Sequence, residues 1–155
     1  RLNTDLREQK AWAYGVASGV GDAREQVTAQ MVAPVQADRT GDSIAALIAD
    51  LNALKNTTPI TRAERDNAVN SSVRSLPGEF ESGGALLGAI AKNALFQRGD
   101  DYYEKLVPRL QALTPAQLNE AVQLLSTDNF TWIVVGDRKL VEPQLAKLGI
   151  PVEVR

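Results

Sequence analysis

The chain has 155 residues, 44% of them hydrophobic and 23% charged, with a net charge of −2 at neutral pH. That length builds a core without staples, and the mild acidity excludes the basic surface that neutralises nucleic-acid phosphates. Cysteine and histidine are both absent. Disulfides, thiolate nucleophiles, Ser-His-Asp triads and histidine-bound zinc therefore cannot be assembled from this chain alone. No apolar run reaches the ~20 residues of a membrane span. The longest, Ala85 to Phe96, is broken by Gly88, Lys92 and Asn93 and reads as a buried helix of a soluble protein. Arg1-Leu2-Asn3 opens inside what reads as a helix, with no targeting segment, as a domain cut from a longer protein would.

Leu2 and Leu6, four apart, predict a short amphipathic helix to about Lys10. From Trp12 the period changes to two. It predicts a strand with Trp12, Tyr14, Val16 and Val20 on one face and Ala13, Gly15, Ala17 and Gly19 on the other. A polar turn, Gly21 to Arg24, leads to a second strand over Thr28 to Val35, paired antiparallel with the first, with Pro34 near an end or an edge.

Ile44, Leu47, Ile48, Leu51 and Leu54 form the apolar stripe of a helix with Asp42 as its expected cap. Thr61 and Glu64 fit a capping box for a helix running to Leu76, where Pro77-Gly78 interrupts. A small-residue helix follows, about Glu79 to Gln97, with Gly83, Gly84 and Gly88 expected to allow tight packing. Another begins near Asp100, and Thr114-Pro115 caps the next, which carries Leu118, Ala121, Val122 and Leu125 on one face.

Phe130 to Val135 reads as a buried strand ended by Gly136-Asp137. A last helix stops at Gly149 before Pro151, and Val152 to Val154 is a candidate final strand. Strands, then helices, then strand and helix make one α+β domain, a mostly antiparallel sheet covered by helices, over 1–155.

Leu6 to Gly15 is the stretch richest in chemistry. It places a guanidinium, Arg7, and a phenol, Tyr14, seven residues apart across a helix-to-strand junction. Arg7 could hold a carbonyl or carboxylate and Tyr14 could donate to a developing oxyanion; equally, Arg7 could be a solvated charge and Tyr14 a packing residue. Around Arg74, Glu79 and Glu81, and in the loop Arg98 to Asp101, weak surface ion pairs are expected. No Gly-x-Gly-x-x-Gly follows the strands, which disfavours a nucleotide loop.

This segment resembles the start of the C-terminal domain of the pitrilysin/insulinase family of zinc metallopeptidases, the inverzincins. An arginine-leucine helix, then Leu6-Arg7-Glu8, then Tyr14-Gly15 opening a strand carry the resemblance. It continues through Leu76-Pro77-Gly78-Glu79-Phe80-Glu81, Asp101-Tyr102-Tyr103, Leu113-Thr114, Val134-Val135-Gly136-Asp137 and Leu148-Gly149. The resemblance implies a lobe of the LuxS/metallopeptidase-like fold that closes over a peptide or unfolded protein. The partner lobe, in the same polypeptide or another subunit, would carry H-x-x-E-H and the zinc. This chain would hold no metal or other cofactor and catalyse nothing by itself. Arg7 and Tyr14 match in type, order and spacing an arginine and a tyrosine that reach the substrate backbone. Their implied role is to bind the peptide carbonyl and stabilise the tetrahedral intermediate.

Ala11-Trp12-Ala13 departs from the family, which more often has glycine and a smaller apolar residue there. Trp12 either shapes the cleft or fills the core, and core is the simpler reading. The resemblance suggests the periplasm by analogy. The alternative is a structural, non-peptidase member of the superfamily, like the core subunits of the respiratory bc1 complex. A free-standing interaction domain is the weaker third option.

Overall fold

In the computed structural model, which describes all residues except Gln26 and Arg155, a π-helix over Thr4–Gln9 is followed by β1 (Ala17–Val20) and β2 (Ala29–Val32). A 3-10 turn, Ala37–Arg39, runs into α1 (Thr40–Asn56); α2 (Arg62–Ser75) passes into a second 3-10 helix, Leu76–Phe80. Then come α3 (Gly83–Leu95), α4 (Tyr102–Ala112), α5 (Pro115–Val122), a 3-10 turn at Thr127–Asn129 and α6 (Arg138–Lys147). This is an α+β fold in which the small sheet is antiparallel. The chain divides into two compact units. One gathers Arg1–Ala23, Val27–Thr58 and Leu125–Arg155; the other gathers Arg24–Gln26 and Pro59–Leu124.

In the first unit the α1 stripe does what its spacing predicts, burying Ile44, Leu47 and Leu51. Leu47 joins Leu6, Ala13 and Val16 in one apolar cluster, and Ile44 joins Val141 and Leu145 of α6 in another. Trp132 packs against both clusters and so ties the two halves of this core together. The backbone of α1 comes so close to α6 that a Cβ built on Gly41 would lie 2.9 Å from Cβ of Gln144. Gln144 repays that proximity with hydrogen bonds: its Oε1 accepts from Gly41 N–H at 3.1 Å, and its Nε2 donates to Ala37 C=O at 2.7 Å.

The second unit is built from capped helices. Thr61 with Glu64 closes a capping box on α2, and Thr114 with Gln117 closes one on α5 behind Pro115. Arg65 on α2 donates from Nε to Leu113 C=O at 2.6 Å. Asn119 on α5 clamps the peptide groups of Ile60 at 2.7 and 3.2 Å. Phe80, Tyr103 and Tyr102 pack edge to face in series, at 4.9 and 5.1 Å between centroids.

Several expectations need correction. Asp42 does not cap α1, which starts two residues earlier; it sits in the first turn and pairs with Arg39 at 3.3 Å. The helix expected from about Glu79 to Gln97 forms over Gly83–Leu95, but within its unit its apolar run is not buried: Ala89 is buried while Leu87 and Ile90 are 67% and 58% exposed. Among the described residues a Cβ at Gly83, Gly84 or Gly88 would meet nothing within 4 Å, so the expected tight packing is not seen there.

Phe130 to Val135 is extended and alternates, with Trp132 and Val134 turned inward and Ile133 and Val135 86% and 95% exposed. It is nevertheless not a strand. A groove of about 390 Å³, lined by Met31, Val35, Ser43 and Val134, lies between it and β2, and no ladder forms among the described residues. Val152 to Val154 is exposed and is no part of a strand among the described residues. In the loop around Asp101 the ion pair is Asp101 with Lys105, while Arg98 lies over the rings of Phe96 and Tyr102 at 4.6 and 4.3 Å.

Candidate functional site

The first fifteen residues explain how Arg7 and Tyr14 meet. Leu6 is completely buried, which pins the π-helix to the core and leaves the next side chain, Arg7, outside. Leu6 C=O accepts from the N–H groups of Trp12 and Ala13, at 2.8 and 3.2 Å, folding the following segment back onto the helix. Ala13 is buried in the same cluster, so Tyr14 points outward and is 90% exposed. The Arg7 guanidinium carbon lies 5.9 Å from the Tyr14 ring centroid, a cation–π contact. Both functional candidates thus sit side by side on one surface of the first unit, and no acid pairs with Arg7 among the described residues.

The strand that was expected to carry Tyr14 is different from its period-two reading. Ala13 forms an isolated bridge with Val35, whereas Ala17 pairs with Val32. Between those two points Tyr14, Gly15 and Val16 face only Ala33 and Pro34, one residue more on the first strand than on the second. This is a β-bulge, and the extra residue reverses the side-chain parity. Tyr14 and Val16 were expected on one face; instead Val16 is 8% exposed and Tyr14 turns to solvent. Pro34, which has no N–H to give, stands where the ladder is interrupted.

Asn3 was not singled out by the sequence, yet its side chain grips the bulge. Asn3 Oδ1 accepts from Val16 N–H at 2.8 Å and its Nδ2 donates to Val16 C=O at 2.7 Å. An asparagine near a helix start ordinarily signals a cap, and nothing in its spacing points to Val16. Trp12 packs against the cluster of Leu6, Ala13 and Val16, with Lys10 and Arg39 lying over its ring at 5.2 and 5.8 Å.

Asp50, on α1, has one carboxylate oxygen buried without a hydrogen-bond partner among the described residues. Burial, and then the charge of Asp5, raise its pKa above the ordinary carboxyl value of 3.8, against opposing pulls from Lys10 and Arg1. Asp5 itself is paired with Lys10.

Among the described residues no group of three or more His, Cys, Asp or Glu side chains is disposed to hold an ion, and a chain without imidazole or thiolate offers no soft donor for zinc. Among the same residues no helix is long and apolar enough to cross a membrane.

Comparison with known proteins places these features. Residues 1–72, which hold the π-helix, the bulge, the sheet, α1 and most of α2, match the family model described as the peptidase M16 inactive domain. The chain is also similar to the crystal structure of a peptidase M16 inactive domain from Pseudomonas fluorescens, at 20% identity and a TM-score of 0.70. That likeness covers 81% of this chain but 30% of the other, so the chain spans under a third of the length of the protein it matches. No curated protein matches. The chain thus shares the fold of a peptidase M16 inactive domain, and its first 72 residues match the model of that domain, in agreement with the family that its sequence resembles.

Proposed function

We propose that this chain is the substrate-gripping lobe of a zinc endopeptidase, and that a separate lobe bearing H-x-x-E-H holds the metal. The observation that carries the reading is the outward pair of Arg7 and Tyr14, 5.9 Å apart and without a competing acid on Arg7 among the described residues. An arginine freed from ion pairing can donate to the carbonyl of an extended peptide. A phenol beside it can donate its O–H to the oxygen that gains charge as that carbonyl is attacked, and the neighbouring guanidinium favours the negative charge. When the lobes close, the same surface would shed water, which strengthens both interactions. Peptides and unfolded segments are the substrates such a clasp suits, because it reads backbone rather than side chains.

The test is made in the full-length protein with its partner lobe. Arg7→Ala and Tyr14→Phe should each lower kcat/KM on a quenched-fluorescent peptide by about 10²–10³-fold, as loss of one oxyanion donor does. Turnover at the wild-type rate by both variants would take the pair out of the reaction. A full-length protein that cleaves no peptide would instead favour the scaffold reading of this family.

A further inference from the structure

A bulge leaves one residue of its strand without a ladder partner, and here that vacancy is filled by a side chain. The carboxamide of Asn3 presents to Val16 one acceptor and one donor, at 2.8 and 2.7 Å, as a neighbouring strand's peptide group would. Together with the Ala13–Val35 bridge and the bonds of Trp12 and Ala13 to Leu6, those two bonds oppose a one-residue slip into the regular register that continues from the Ala17–Val32 pair. Such a slip would set Val16 and Tyr14 on the same face, as in any unbroken strand. With Val16 retained in the core, Tyr14 would turn inward and leave Arg7.

We propose that Asn3 is a positioning residue whose amide locks the bulge in the register that aims Tyr14 beside Arg7. The geometric part of this inference stands on the hydrogen bonds and the register. Its consequence for turnover rests on the substrate-contact reading above, so the experiment separates the two.

The first measurement needs no activity. 3-Fluorotyrosine placed at position 14 of the full-length protein reports its surroundings through its ¹⁹F shift. In the otherwise wild-type protein, Arg7→Gln should move that resonance, because the guanidinium lies over the ring. In Asn3→Ala, and in Asn3→Leu, which fills the same space without either hydrogen bond, the response to Arg7→Gln should vanish while the far-UV circular dichroism is retained. A response that persists in Asn3→Leu overturns the proposal. So does loss of response in Asn3→Ala with its return in Asn3→Leu, since packing would then be the cause.

The second measurement is peptide cleavage. Asn3→Leu should lower kcat by about 10–10²-fold, the scale of a small misplacement of a contacting group, with KM changed less than twofold. The double variant Asn3→Leu/Tyr14→Phe should then lose no more than Tyr14→Phe alone. If the two losses multiply, Asn3 does not act through Tyr14 and the proposal falls. If Tyr14→Phe alone leaves kcat unchanged while the ¹⁹F response behaves as expected, the positioning role stands and the catalytic reading of Tyr14 falls.

Discussion

Ala11 sits at φ +54°, in the left-handed region, at the corner where the π-helix gives way to the Trp12 segment. For a residue with a Cβ that conformation costs about 1–2 kcal/mol, and the family more often places glycine in this stretch. Ala11→Gly relieves the strain but adds freedom to the unfolded chain, worth about 0.4–1 kcal/mol in the other direction. A net gain of about 0.5 kcal/mol is expected, read as a higher urea midpoint at unchanged slope. Asp50 is a second residue-scale liability. Its folded-state pKa is raised, so the folded protein holds the proton more tightly than the unfolded one does. The ionised carboxylate therefore lowers stability at neutral pH, and the penalty fades as pH falls to the unfolded value near 3.8. Asp50→Asn should raise Tm at pH 7, and its advantage should disappear at and below about pH 3.8. Arg7 and Tyr14 stood out in the sequence as candidates through their chemistry and then through a family resemblance. Asn3 and Asp50 did not, because each owes its role to a neighbour more than ten residues away.

Among the elements, what local chemistry determines could be read directly. Thr61 with Glu64, Thr114 with Pro115 and Gln117, and Gly149 at φ +66° past the end of α6 mark helix boundaries by groups within one turn. Strands were harder for a physical reason: period two describes a pleat but not the register against a partner, and one extra residue at Tyr14–Val16 inverted the faces. Phe130 to Val135 kept its alternation yet has no partner strand among the described residues, which composition does not specify. Hydrophobicity likewise predicted burial for α3, whose apolar side has no layer over it in its own unit. The contact between α1 and α6 supplies a sharp element-scale test. A methyl group at Gly41 would fall 2.9 Å from Cβ of Gln144 and 3.2 Å from its carbonyl oxygen, with the backbone unable to yield cheaply. Gly41→Ala should therefore destabilise by about 1–3 kcal/mol despite alanine's better helix propensity, measured by chemical denaturation.

Across the whole chain the apolar core is unevenly shared. The first unit buries Leu6, Ala13, Val16, Ile44, Leu47, Leu51, Val141 and Leu145, whereas the second buries Val69, Ala89 and Val122. Large apolar side chains carry most of the burial free energy, about 1.5–3 kcal/mol for a fully buried valine or leucine, so the first unit should be the last to open. The second depends more on caps, on Arg65 and Asn119 tying helix ends together, and on the ring contacts of Phe80, Tyr102 and Tyr103. Native-state hydrogen exchange of the full-length protein should show the slowest amides in α1 and faster exchange through α3. Trp132, which packs on both clusters of the first unit, gives the matching perturbation. Trp132→Ala should cost about 3–5 kcal/mol and accelerate exchange throughout α1, while amides of α2 keep their wild-type rates. Equal acceleration in α1 and α2 would mean that the chain opens as one cooperative body, and that the division of its core has no counterpart in its stability.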